Sequence, residues 1–155
     1  MNTDLARFLA TRTPLTEEQA VWGGGESAPR LRFSISAYLD DQRPPPSYVT
    51  SVRGLIFRGD LVLVVRNRLV THIWPGGRRE VLEETGCRIA MAAQLGFLHF
   101  HHLSPKPPSY AYPYPDFMQL VYVAEARAFV SEARHLDDYE LEAVFRPVAE
   151  VTRLS

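Results

Sequence analysis

Between Arg30 and Leu39 apolar and polar residues alternate without a break. Leu31, Phe33, Ile35, Ala37 and Leu39 share one parity; Arg30, Arg32, Ser34, Ser36 and Tyr38 share the other. Successive side chains point to opposite faces only on an extended backbone, so the first set is expected inward and the second outward. The pattern predicts a half-buried antiparallel strand and makes a sheet the frame of the fold. Residues 48–57 and 61–66 read as the next strands. Arg58-Gly59-Asp60 between them reads as a hairpin turn rather than an adhesion motif. Residues 70–74, 88–93, 94–103 and 117–129 supply further strand material.

Helical signals are few. Residues 2–12 carry Leu5, Phe8 and Leu9 at helical spacing, with Thr3 or Asp4 as cap. Thr16-Glu17-Glu18-Gln19 has the form of a capping box and predicts a second short helix, ending near Trp22 before Gly23-Gly24-Gly25. Pro44-Pro45-Pro46 makes residues 40–47 a stiff connection. Residues 104–115 hold five prolines with Tyr110, Tyr112 and Tyr114, so an extended segment without ladder bonds is expected. Its tyrosines either stack on a substrate's base or sugar, or pack on their own domain. His99 and His101 would share one strand face, which is ligand geometry for zinc, although strand histidines more often line a pocket or face solvent.

Composition narrows the partners. A net charge of -1 gives no electrostatic case for nucleic acid or an anionic membrane. No apolar run approaches the roughly 18 residues that span a bilayer, and no signal-peptide core is present. The single cysteine, Cys87, excludes an intrachain disulfide and fits a reducing, cytoplasmic setting. It reads as a small core residue, not a nucleophile.

The stretch from Trp74 to Cys87 departs from the strand pattern. Pro75-Gly76-Gly77 reads as a turn, and the residues after it as a short helix stopped by Gly86. Glu80, Glu83 and Glu84 fall at i, i+3 and i+4, which one helix face collects. Two of them lie in the last turn, where the helix dipole disfavours negative charge, and only Arg79 is in reach. Three carboxylates so placed read as a solvated acidic face or as hard oxygen ligands for Mg²⁺.

Arg79-Glu80-Val81-Leu82-Glu83-Glu84-Thr85-Gly86-Cys87 resembles the second half of the Nudix box, and Pro75-Gly76-Gly77 resembles its opening. The box is about twelve residues short between these parts, and its first glutamate is absent. The gap lies either around Arg78 or after Glu80, and in the second alignment Glu80 is not the box ligand. Glu83 and Glu84 keep their place in both.

The resemblance covers residues 48–155, including a late acidic turn and strand at 137–147 and a terminal helix from Pro147. It implies an α/β fold, an α/β/α sandwich around a mixed sheet; residues 1–47 lie outside it and read from their own pattern as a helical arm plus strand. It implies a Mg²⁺- or Mn²⁺-dependent pyrophosphohydrolase acting on a small nucleoside diphosphate derivative. Metal would be held by Glu83 and Glu84, by Glu80 in the first alignment, and by the Gly76 carbonyl. Arg79 would orient a glutamate through a bidentate pair, and the Gly77 backbone would lie near the diphosphate. The general base is open, with Glu140 and Glu142 as late candidates. If the shortening is real, the alternative is a non-catalytic nucleotide-binding or regulatory module. A third reading is an interaction protein whose residues 1–47 mediate assembly, which leaves room for a homodimer.

Overall fold

The computed structural model describes residues 3–23, 30–67, 72–73, 75–76, 78–108, 110–130 and 140–151. The elements are α1 (Thr3–Ala10), β1 (Thr16–Trp22), β2 (Leu31–Leu39), a 3-10 turn (Pro46–Tyr48), β3 (Val49–Arg58), β4 (Leu61–Asn67), β5 (His72–Ile73), α2 (Arg78–Thr85), β6 (Cys87–His102), β7 (Asp116–Phe129), β8 (Glu140–Pro147) and α3 (Val148–Val151). This is an α/β fold carried mainly by its sheet. Two compact units can be described, one from residues 1–51 and 95–120, the other from 52–94 and 121–155.

In the first unit β2 pairs antiparallel with β1 and with the distal half of β6, in register Ala20↔Phe33 and Phe33↔His102. Its core is aromatic. Phe33, Ile35, Phe100 and Phe117 are buried together, with Phe100 stacked on Phe117 at 4.7 Å and Trp22 against Phe33 at 4.8 Å.

Residues 16–22 are a strand, not the helix predicted from the capping-box pattern. Seven residues of β1 pair in register with β2, and the Leu15 N–H extends the ladder to the Ala37 carbonyl. A local capping signal is worth little against a whole ladder, and Val21 and Trp22 favour the pleated surface.

The alternation of β2 also needs two corrections. Leu39 is 63% exposed at the strand end, and Ser36 is buried on the face expected to be wet. That face is covered: Tyr38 stacks on Phe97 at 4.8 Å, and Phe8 of α1 meets Phe97 at 5.4 Å. Gly96 lets the strands approach here, since a Cβ on it would lie 1.9 Å from the Tyr38 carbonyl oxygen. Arg12 fastens the end of α1, lying 3.7 Å over the Phe8 ring and donating to Asp40 at 2.6 Å.

In the second unit β3 and β4 form a hairpin. Arg58 pairs with Leu61, leaving Gly59 and Asp60 as a two-residue loop, and Gly59 has φ 62 as such a tight loop requires. β4 also pairs antiparallel with β5 and β8, and its Val62 to Val65 are all buried. Ile56, Leu63, Val81, Cys87 and Ala124 form the core, with Phe145 packed against it. Cys87 is 1% exposed, and burial pushes its thiol pKa up, as suits a core residue.

Candidate functional site

α2 is fixed at both ends by named contacts. Before it, the Gly54 N–H donates to the Pro75 carbonyl at 2.9 Å, tying the turn to β3. Along it, Val81 and Thr85 are buried, and the Thr85 hydroxyl donates to the Val81 carbonyl at 2.5 Å. After it, Gly86 takes φ 70 and its N–H reaches the Leu82 carbonyl at 2.8 Å, which closes the helix. The Gly86 carbonyl accepts from Val130 N–H at 2.7 Å. Val81 and Thr85 face the core, and Glu83 is half-exposed.

Arg79 meets Glu83 through one contact, Nε to Oε1 at 3.3 Å, at i and i+4. Arg79 is 86% exposed and Glu83 45%, so the pair contributes only about 0.3–0.5 kcal/mol. The side chains of Glu80 and Glu84, and Gly77 entirely, lie outside the described residues. Gly76 and Pro75 are buried. Of the late candidates, Glu142 pairs with Arg66 at 3.2 Å, and the Glu140 side chain lies outside the described residues. Among the described residues no group of three or more His, Cys, Asp or Glu is arranged to hold a metal.

Beside Gly76 lies a cavity of about 280 Å³, walled by Val52, Ile56, Val81, Ile89 and Ala124. Gly54 and Tyr122 also line it. Sequence reasoning missed it. Its walls come from α2 and three strands, and no single stretch carries a signal.

The first unit holds a polar cluster that sequence reasoning found only in part. His99 Nε2 and His101 Nδ1 both meet Asp116 Oδ1, at 2.9 and 2.8 Å. The two histidines do share a face, but both turn to a carboxylate that is 2% exposed. His102, on the other face, bonds the Tyr110 hydroxyl at 2.7 Å and packs near Tyr114 and Phe117. The Tyr114 hydroxyl donates to the Ser104 carbonyl, and Tyr112 is 56% exposed. None of the described residues of the tyrosine segment lies in a strand, as its prolines predict.

Burial would raise the Asp116 pKa, but hydrogen bonds from both histidines, and their charges, outweigh it and hold it below 3.8. Burial, with His101 beside it, pushes His102 below 6.5. A depressed His penalises folding as pH falls below 6.5, where the unfolded chain takes the proton first. A depressed Asp contributes stability above 3.8 that is lost as pH falls through its folded value. Urea midpoints should therefore fall from pH 7 to 5, and again below 4. His102→Gln should flatten the first step, and an unchanged first step would show that His102 does not cause it.

The fold has solved counterparts. A Bacillus subtilis pyrophosphohydrolase, BsRppH, matches with TM-score 0.56 and 17% identity, over 82% of this chain and 77% of that one. A NUDIX hydrolase from Nitrosomonas europaea matches with TM-score 0.55 and 20% identity, over 69% of this chain and 76% of that one. The chain has the Nudix fold. No family model and no curated protein matches the sequence.

On this Nudix fold, the box-like residues 79–85 lie in α2, which is only eight residues long and begins at Arg78. No helix among the described residues is long and apolar enough to cross a membrane.

Proposed function

We propose that this chain is a Nudix-type pyrophosphohydrolase that cleaves the diphosphate linkage of a small nucleoside diphosphate derivative. The observation that supports this most is α2 itself. The box-like sequence forms a helix, ends at Gly86 as the resemblance requires, and keeps Glu83 open to solvent beside Arg79. Glu83 and Glu84, with Glu80 in one alignment, are the carboxylates for Mg²⁺ or Mn²⁺, and the Gly76 carbonyl is a further oxygen. Their donor chemistry fits a hard cation. Such an ion would neutralise phosphate oxygens and lower the pKa of the attacking water. Arg79 lies beside Glu83 at 3.3 Å and biases its orientation only weakly. Neither Glu140 nor Glu142 is assigned as general base.

The short helix favours a second reading, a nucleotide-binding or regulatory module without useful turnover. Thermal melts with Mg²⁺ test the carboxylates in both. A ligand at a hundred times its Kd stabilises the folded state by about 2.7 kcal/mol. Mg²⁺ should raise the melting temperature of the wild type and not that of Glu84→Gln. Equal shifts in both would reduce α2 to a solvated acidic face.

A further inference from the structure

We propose that the cavity beside Gly76 binds an apolar group, hydrocarbon or aryl, joined to the diphosphate held at α2. This rests on the reading of Glu83 and Glu84 given above. At about 280 Å³ the cavity is on the scale of one ring system or one branched chain.

Its walls decide the chemistry. The described lining residues include no charged side chain, and Tyr122 is the only one with a polar side-chain group. The Gly54 N–H is already given to the Pro75 carbonyl. A nucleobase edge or a sugar placed here would leave several polar groups unpaired, which costs more than apolar contact returns. A hydrocarbon or aryl group leaves none.

Two features place the group next to the diphosphate. Gly76, from the turn that opens the box, lines the cavity. Gly54 keeps the space beside that carbonyl clear, since a Cβ there would lie 3.0 Å from Ile56 Cδ1 and 3.4 Å from the Gly76 oxygen. Ala92 lines the cavity from an exposed position, where a larger side chain can obstruct it without entering the core.

Calorimetry with three probes in Mg²⁺ tests the proposal: geraniol, inorganic pyrophosphate and geranyl diphosphate. Geranyl diphosphate should bind the wild type at least about tenfold more tightly than pyrophosphate, as burial of two or three methylenes gives. Ala92→Leu, at an exposed position, should bring that ratio towards one while pyrophosphate affinity holds. Glu84→Gln should weaken pyrophosphate and leave geraniol unaffected. Equal affinity for the two diphosphates in the wild type, or a ratio unmoved by Ala92→Leu, would overturn the cavity assignment. Geraniol bound without any pyrophosphate binding would instead sink the diphosphate reading, and with it the link between the two.

Discussion

Inserting about twelve residues of box-like helix and turn after Arg78 should raise Mg²⁺-dependent hydrolysis by about a hundredfold or more. The present helix has eight residues, and isolated helices shorter than about 12–15 are marginal in water. Its C-terminal end is held by Val81, Thr85 and Gly86. Its N-terminal end begins directly at Arg78, after the turn at Gly76. A helix of about two turns gives its carboxylates little support of its own, and a misplacement of about 1 Å can cost a hundredfold in rate. The chain as it stands should therefore turn over slowly. An insertion that folds, binds Mg²⁺ and gains no activity would favour the binding module.

Phe100→Ala should have the largest effect on stability, about 3–5 kcal/mol, which is what truncating a buried aromatic costs. Phe100 is 2% exposed, stacks on Phe117, and meets Trp22 at 5.0 Å and Phe33 at 6.1 Å. Whole domains are stable by only about 5–15 kcal/mol, so the variant should show a visibly populated unfolded state in mild urea. A loss under about 1 kcal/mol would mean that the aromatic cluster of the first unit is not its core.

What the sequence made legible follows from the range of its signals. Alternation found β2, and Phe33 and Ile35 are buried as it requires. It misplaced Ser36 and Leu39, because alternation assumes one wet face, and Phe8 and Tyr38 on Phe97 show this face covered. The capping-box pattern at Thr16 gave way to the ladder between β1 and β2, which pairs residues from Thr16↔Ala37 to Trp22↔Leu31, beyond the reach of a local signal. The hairpin at Gly59 and the helix stop at Gly86 were legible because each is a local requirement for positive φ. Asp116 was not singled out, since its histidines lie 15 and 17 residues away on another strand. The cavity beside Gly76 was invisible for the same reason. The box carboxylates were legible from spacing alone, but whether they act together depends on the length of the helix that carries them.

The most direct measurement is Mg²⁺-dependent phosphate-bond hydrolysis of ADP-ribose by the wild type, Glu83→Gln and Glu84→Gln, with folding of each checked by circular dichroism. The expected result is slow turnover by the wild type that requires the metal, with each substitution reducing it by about a hundredfold or more, the cost of removing one positioned electrostatic group. Metal-dependent turnover that survives both substitutions unchanged would contradict it, because the reaction would then not run at α2.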